Sequence, residues 1–453
     1  MVSVLSRVVL AAAIVVGGSG CATYTDKTER MRAAMSAGDL NGALDQTNAY
    51  LKLKRPDELP DSWEKNVPLV VLERATILHA LGDYDDSITN LQAAENQLEL
   101  LDLSGDAAGN VAKYIWSDAS TKYKTPPVEK LSLNALNMLN YLAKGDLEGA
   151  RVEAKRFTTM RNYLREYDPE HAYGGFGSYL AGFTMERLGE TASALRYYEE
   201  ALEERTLPSL IPTLRRIWRP EAYASERFET LLGTERISID TPAAEPTSGG
   251  ELLVVVNVGR VPYKEARRIP IGAAIGIAGT YITGDTAVLE RTALKVLIYP
   301  ELVPAGNAFE TASVTVDGVE VYTELVSDVA GHVLREYTEL KPKLMGAAIS
   351  RLIVRALAAE GARAAGSQAK NNGALIGLLA SLAVEGAMVA ADKPDTRSWT
   401  SLPGKVLMAR GRFPAGAHEV EVTMQGPNGK EVRRMEVNIS DGGFVVLDVT
   451  TLR

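Results

Sequence analysis

Few residues of this chain are placed to do chemistry. Cys21 is the only cysteine, and the four histidines stand far apart in the sequence, at His79, His171, His332 and His418. Their spacing matches no zinc-binding pattern. The sequence also contains no G-x-S-x-G elbow, H-E-x-x-H pair or phosphate-binding loop. We therefore expect no metal, no cofactor and no catalytic residue, and the sequence favours a protein that is not an enzyme.

Cys21 follows a short apolar segment. Residues 1–20 carry Arg7, then an apolar run, then small residues. The run is too short to cross a bilayer, which needs about 20 apolar residues, so residues 1–20 are predicted to be a signal peptide. The sequence Gly-Ser-Gly-Cys resembles a bacterial lipobox, although Gly18 stands where an aliphatic residue is usual. The resemblance implies that the Cys21 thiol carries a diacylglycerol. The alternative is an ordinary signal peptide that leaves an unpaired thiol, which is rare in exported proteins.

The residues after Cys21 bear on where the chain is sorted. Ala22 and Thr23 follow it. An Asp directly after the cysteine would resemble an inner-membrane retention signal, and neither residue is Asp. We therefore expect a lipid anchor in the outer membrane, with the protein facing the periplasm.

Composition limits the partners of the mature chain. Without residues 1–20, 433 of the 453 residues remain, which predicts more than one domain. The formal charge of −9 becomes −10 when Arg7 is removed, and this charge argues against nucleic acid as a partner. Apolar residues are 46% and charged residues 24% of the chain, a balance that is typical of soluble globular proteins.

A repeated pattern marks the N-terminal half. A glycine followed by an acidic residue recurs at Gly38, Gly82, Gly145 and Gly189, and each pair is followed by a helical pattern. Gly favours the left-handed cap of one helix, and Asp or Glu favours the start of the next. Residues 177–202 resemble a tetratricopeptide repeat. The glycines are 44, 63 and 44 residues apart, whereas a regular array repeats every ~34. We therefore predict an irregular tetratricopeptide-like helical solenoid over residues 21–236, with a concave face suited to holding a polypeptide.

The pattern changes after a linker at residues 237–250. Residues 251–453 are predicted to form a mixed α/β domain, so the fold class is multidomain α+β. Runs of β-branched residues indicate strands, with hairpin turns at Asp317-Gly318 and Asn428-Gly429. The last three strands are expected to form one small antiparallel unit. The predicted strands are Glu251–Gly259, Ala293–Tyr299, Ala312–Val316, Val319–Leu325, Lys405–Arg412, Glu419–Met424, Val432–Ile439 and Phe444–Val449.

Two long helices are expected between the strands. Lys341–Ala365 is amphipathic, whereas Gly373–Ala391 is almost entirely apolar. The second helix could enter a membrane, but it is short, rich in Ala and Gly, and carries Glu385, whose burial in lipid costs about 2–3 kcal/mol. We favour a helical hairpin that is buried within the domain.

Several short motifs together resemble a family of uncharacterised bacterial lipoproteins, in which tetratricopeptide-like helices precede an α/β domain. The resemblance implies that fold and a cell-envelope location, and it implies no activity. Such lipoproteins are often encoded near lipoproteins that activate penicillin-binding proteins. The motifs are 150–153 (ARVE), 175–182 (GFGSYLAG), 253–259 (LVVVNVG), 268–271 (RIPI), 351–355 (RLIVR), 395–399 (DTRSW) and 402–403 (LP).

The motif with Asp395, Arg397 and Trp399 is a candidate recognition site. The charged pair could bind a glycan or a peptide stem while Trp399 stacks on a sugar. The structural alternative is that Asp395 and Arg397 pair with each other and that Trp399 seals the end of the Gly373–Ala391 helix against the sheet.

These patterns predict a lipid-anchored envelope protein that acts as a protein-interaction scaffold in envelope or peptidoglycan assembly. Its partners would be other envelope proteins, and the membrane would be reached through the lipid on Cys21. The alternative function is a glycan-binding or peptidoglycan-binding module. A cell-wall-active enzyme is the third hypothesis and has no motif in its favour.

Overall fold

The structure is a computed structural model, and it describes residues 22–55, 57–100, 123–167, 169–233, 248–290, 296–367 and 394–453. The N-terminal part is helical and the C-terminal part is built from sheets, so the chain is a mixed α+β protein. Cys21, the segment Gly373–Ala391 and most of the predicted linker 237–250 lie outside the described residues.

The N-terminal part consists of helices joined mainly by short turns. A short parallel pair of strands precedes its second half, where Glu99 pairs with Lys124. The elements are α1 (Tyr24–Lys27), α2 (Glu29–Ala37), α3 (Leu40–Leu51), α4 (Val67–Ala80), α5 (Tyr84–Glu95), β1 (Glu99–Leu100), β2 (Lys124–Thr125), α6 (Pro127–Ala143), α7 (Leu147–Tyr167), α8 (Gly175–Arg187), α9 (Thr191–Ala201), α10 (Ile211–Ile217) and α11 (Glu226–Gly233).

The predicted glycine turns are confirmed. They join α2 to α3, α4 to α5, α6 to α7 and α8 to α9. In the first turn the side chain of Asp39 accepts a hydrogen bond from the Gly42 N–H at 2.8 Å, which caps the new helix. The φ angles are 80°, 82°, 75° and 78° at Gly38, Gly82, Gly145 and Gly189. An L-residue with a side chain is strained at these positive φ values.

The C-terminal part alternates strands with a few helices. The predicted helix over 341–365 is confirmed but begins earlier, and it contains Pro342. The elements are β3 (Gly250–Arg260), β4 (Tyr263–Pro270), α12 (Ile271–Ala278), α13 (Ala287–Glu290), β5 (Val296–Val303), β6 (Thr311–Val316), β7 (Val319–Val321), β8 (Thr323–Ser327), α14 (Val329–Ser367), β9 (Pro403–Phe413), β10 (Gly416–Gly426), β11 (Gly429–Ile439) and β12 (Phe444–Thr451).

Two four-stranded sheets pack face to face. The first has the order β12-β3-β9-β8 and is mixed, whereas the second has the order β11-β10-β6-β7 and is antiparallel. The prediction that the last three strands form one antiparallel unit is wrong, because β12 leaves β10 and β11 and pairs in parallel with β3. β12 carries Val446 toward the helices and Val449 toward the second sheet. Apolar side chains on both faces of β12 must therefore be buried. The position beside β3 places one face against the helices and the other against the second sheet.

The helices and the first sheet share one core. On β3, Leu253 and Val255 pack with the helices, whereas Leu252 and Val254 pack between the two sheets. The prediction that this strand is buried on both faces is confirmed. The molecule thus has three layers, a helical layer, a mixed sheet and an antiparallel sheet.

A smaller unit is built on the ribbon formed by β4 and β5. The two strands pair antiparallel, and the ribbon packs with α12 and the middle of α14 around a separate apolar core that includes Leu297 and Ile349. Strand β4 was not predicted from the sequence, because Tyr263–Pro270 contains four charged residues and is largely exposed.

Candidate functional site

The candidate recognition residues lie inside the molecule. Trp399 has no exposed surface, and its indole N–H donates to Thr76 Oγ1 at 2.9 Å and to Ser401 Oγ at 3.2 Å. Arg397 is 2% exposed and pairs with Asp395, with Nη2 and Oδ2 2.6 Å apart. No face of the indole is open to a sugar. The pairing of Asp395 with Arg397 agrees with the structural alternative. Trp399 contacts Thr76 of helix α4, and the segment 373–391, which it was expected to seal, lies outside the described residues.

Two buried carboxylates hold the backbone beside Trp399. The Trp399 N–H donates to Glu129 Oε1 at 2.9 Å. The Thr400 N–H donates to Glu73 Oε1 at 2.8 Å, and the Ser401 N–H donates to Glu73 Oε2 at 2.7 Å. Helices α4 and α6 therefore hold the extended segment 394–402 through charge-assisted hydrogen bonds.

Burial shifts the proton affinity of both carboxylates. It raises the pKa of Glu129 to about 7, against the opposing effect of the Trp399 N–H. It also raises the pKa of Glu73, although Ser401 and Thr400 donate to it. The sequence does hold a signal for Glu73, because this residue stands within the apolar run 67–78, where a charge needs buried partners.

We expect the folded chain to lose stability as pH rises from acidic to alkaline. Glu129 has an ordinary value of 4.5 and a folded pKa of about 7, so the native state keeps a proton that the unfolded chain releases between these values. Stability therefore falls through this window, by about 3 kcal/mol for one such group. Urea unfolding at about pH 5 and about pH 8 measures the difference.

Glu129→Gln should remove most of this contribution, and Glu229→Gln, at an exposed position, is the control. Some dependence should remain in the Glu129 variant, because burial also raises the pKa of Glu324 to about 7. An unchanged pH dependence in Glu129→Gln would contradict the assignment. Glu204 makes the opposite contribution, because its pKa is lowered from 4.5 to about 2 in the folded chain. The stability that this carboxylate adds to the fold is lost as the pH falls below 4.5.

A buried histidine joins the helices to strand β12. His79 Nε2 lies 3.1 Å from Asp448 Oδ2, and both side chains are almost fully buried. His79 Nδ1 lies 2.7 Å from Asn140 Oδ1. Burial alone would lower the pKa of His79, but the Asp448 carboxylate and the hydrogen bonds raise it. The ring thus links α4, α6 and β12.

A second charged cluster joins helix α8 to the first sheet. Arg410 lies 2.7 Å from Glu186 and also pairs with Glu251, and all three side chains are less than 5% exposed. Arg187 contacts both carboxylates, at 2.7 and 2.9 Å. Burial alone would raise the pKa of Glu186, but Arg410 and Arg187 hold it well below its usual range.

A third cluster lies where α14 meets the loop before α8. His332 Nε2 is 2.8 Å from Glu204 Oε1, and the ring of Tyr173 stacks on His332 with a centroid distance of 4.1 Å. Burial alone would raise the pKa of Glu204, but His332 and the N–H groups of Gly175 and Gly174 lower it to about 2. The cluster borders a cavity of about 40 Å³, which has room for water rather than for a substrate.

These clusters connect parts of the molecule that are distant in the sequence. Each named carboxylate has a cation or backbone N–H partner, and each lies at a contact between layers. Within the described ranges, no three His, Cys, Asp or Glu side chains are arranged to hold a metal ion. In the same part of the chain, no helix is long and apolar enough to cross a bilayer.

Sequence and structure comparisons give no relatives. The chain matches no protein-family model, no curated protein and no solved structure. A function can therefore be argued only from the residues and their arrangement.

The chain is fixed to the folded body only a few residues after Cys21. Tyr24 is 5% exposed, and its hydroxyl donates to Glu73 Oε1 at 3.2 Å. Thr25 Oγ1 donates to the Lys264 carbonyl at 2.5 Å. Only Ala22 and Thr23 separate Cys21 from Tyr24, and these three residue steps span at most about 11 Å. A lipid on Cys21 would hold the body close to the membrane surface.

An open cleft lies at the end of the helical layer, between α9 and α11. Its volume is about 550 Å³. Leu202 and Leu231 form an apolar floor, whereas Glu199, Arg227 and Thr230 lie on the rim. An apolar centre with a polar rim is the usual arrangement of a protein-binding surface.

Proposed function

We propose that this chain is a lipid-anchored envelope protein of the outer membrane that faces the periplasm and acts as a protein-interaction scaffold in envelope or peptidoglycan assembly. The lipobox resemblance of Cys21 supports the anchor. The resemblance to envelope lipoproteins supports the location, and the buried state of the charged clusters fits a binding role better than catalysis.

We propose further that the four helical hairpins form a tetratricopeptide-like stack. The four glycine turns, and the caps by Asp39 and Asp146 that follow two of them, support this assignment. One face of the stack is covered by the chain itself, because Leu253 and Val255 of β3 and Trp399 pack against it. This face would be exposed in a free solenoid, but here it is covered. A partner must therefore bind to another surface.

The cleft between α9 and α11 is the observation that carries the scaffold proposal. It is open, its floor is apolar, and its rim carries both signs of charge. These features fit a helix or extended segment of a partner protein that buries apolar side chains over Leu202 and Leu231. The partner's polar groups would meet Glu199 and Arg227 at the rim.

Blocking this cleft should abolish partner binding without unfolding the protein. Thr230 is exposed and lines the cleft, so Thr230→Arg places a long charged side chain over the apolar floor. We expect a photo-crosslinker at residue 199 of the acylated full chain to give a discrete product with an envelope protein. We expect Thr230→Arg to reduce that product about tenfold or more, since one blocked hot spot commonly costs 2 kcal/mol.

Ala224→Arg is the matched control, because Ala224 is exposed, lies outside the cleft lining and gains the same charge. Equal crosslinking in Thr230→Arg and Ala224→Arg would contradict the assignment of the cleft. Retention of peptidoglycan fragments by the chain, with no crosslinked protein, would favour the glycan-binding alternative.

Loss of the thiol should release the protein from membranes. Cys21→Ser should prevent acylation, and the protein should move to the soluble periplasmic fraction after a high-salt wash. Mass spectrometry of the wild-type chain should find diacylglycerol on residue 21. A Cys21→Ser protein that resists the salt wash would contradict a single lipid anchor, and the segment 373–391 would then be the next anchor to test.

A further inference from the structure

The ribbon of β4 and β5 has one covered face and one open face. Leu297 and Tyr299 belong to the core that the ribbon shares with α14. Side chains alternate along a strand, so Val296 and Ile298 point to the opposite face. The strand register places Arg268 beside Ile298 and Pro270 beside Val296 on that face. Arg268 and Pro270 are exposed, and Val296 is 44% exposed.

Helix α12 adds further exposed apolar residues. This helix follows Pro270 directly and contains no charged residue. Its residues Gly272, Ala273 and Gly276 are exposed, and Ile277 is 42% exposed. Nothing lies within 4 Å of the place where a Cβ on Gly272 or Gly276 would stand. The end of the ribbon and helix α12 thus expose apolar residues, and the cationic Arg268 is exposed on the same strand.

The charge of β4 is opposite to that of the whole chain. Strand β4 carries three basic residues, Lys264, Arg267 and Arg268, and one acidic residue, Glu265. Glu265 pairs with Arg267 at 3.0 Å. The whole chain carries a formal charge of −9. Over residues 263–303 the sequence holds five basic and four acidic residues, so this stretch carries a formal charge of +1.

The ribbon begins at the position where a lipid anchor would hold the chain. Thr25 bonds to the carbonyl of Lys264. Arg268 lies four residues further along the strand, which is about 13 Å. Cys21 lies four residues before Thr25, which is at most about 14 Å. The Arg268 backbone therefore lies within about 30 Å of the residue that would carry the lipid.

We propose that the open face of the ribbon, formed by Arg268, Pro270, Val296 and Ile298 and extended by Ile277, lies on an anionic phospholipid surface. The Arg268 guanidinium binds lipid phosphates, and Val296 and Ile277 enter the interfacial layer. This inference rests on the proposed function, because the lipid on Cys21 brings the face to the membrane.

A membrane fits this face better than a protein does. The surface combines an arginine with separate apolar side chains, and the short tether of Ala22 and Thr23 would keep it near the bilayer. Peripheral membrane contacts of this kind are weak alone and become stable when a covalent lipid adds a second attachment. The ribbon would thus fix the orientation of the protein on the membrane.

The test uses the full mature chain with Cys21→Ser, so that no lipid contributes to binding. We expect it to cosediment with vesicles of phosphatidylethanolamine and phosphatidylglycerol, but not with phosphatidylcholine vesicles, and we expect salt to weaken the binding. Arg268→Glu should lower partitioning about tenfold, since each basic residue near an anionic surface contributes a few-fold and the reversal counts twice. Val296→Asp should lower it as well.

Arg434→Glu is the control, because Arg434 is a surface residue of β11 and undergoes the same charge change. Thermal melting checks that each variant folds. Absence of binding to the anionic vesicles, or an equal loss with Arg434→Glu, would overturn the inference. Either result would leave the proposed function intact if wild-type Cys21 is acylated and the wild-type chain fractionates with membranes.

Discussion

Arg410→Met should destabilise the folded chain by about 3–5 kcal/mol. The substitution keeps much of the side-chain volume but leaves Glu186 and Glu251 buried with less positive charge around them. Arg187 still contacts both carboxylates, so the loss should lie toward the lower end of this range. Urea unfolding of the full mature chain, followed by far-UV circular dichroism, measures the effect.

The surface arginine Arg434 supplies the comparison for this experiment. Arg434 pairs with Glu421 at 2.7 Å, and its side chain is 66% exposed. Arg434→Met should therefore cost less than about 1 kcal/mol. Adding Glu251→Met to Arg410→Met should recover part of the lost stability, because it removes one uncompensated charge. Equal costs for the buried and the exposed arginine would contradict the role of Arg410 as the link between α8 and the first sheet.

Glu73→Ala should cost about 3–5 kcal/mol as well. It removes the acceptor for the N–H groups of Thr400 and Ser401 and for the hydroxyl of Tyr24. These donors are buried, and each lost partner costs about 1–3 kcal/mol. Limited proteolysis should then cut the chain near residues 394–402, because the hydrogen bonds that hold this segment in place are gone.

Glu64→Ala is the matched control for Glu73→Ala, since Glu64 is exposed just before the same helix. It should change stability by less than about 0.5 kcal/mol and leave the cleavage pattern unchanged. A Glu73→Ala protein with wild-type stability and an uncut 394–402 segment would show that the carboxylate does not hold this segment.

Local features of the fold could be predicted from the sequence, and distant pairings could not. The glycine turns at Gly38 and Gly145 depend on one residue with positive φ and one acidic cap, so the local sequence encodes them. The strand beginning at Gly250 was visible because it is apolar on both faces. The pairing of β12 with β3 depends on which surfaces remain uncovered after the whole chain has packed, and no local pattern states this.

The candidate site was predicted less well for the same reason. The sequence singled out Trp399, and its size and its neighbours do matter to the structure. The partner that decides its role is Glu73, which lies 327 residues from Thr400 in the chain. The sequence could have pointed to Glu73 through its apolar surroundings. It could not have indicated which backbone N–H groups this carboxylate would accept.

The packing of Leu452 has a consequence for biogenesis. Leu452 has no exposed surface and lies in one small core with Met31 and Met35 of α2, so residues near opposite ends of the sequence complete the same cluster. Contacts of such long range close slowly. The first hairpin cannot be fully covered until residues 444–452 have been synthesised and have folded against it. Molecules interrupted before that point would expose methionine side chains and become targets for quality-control proteases.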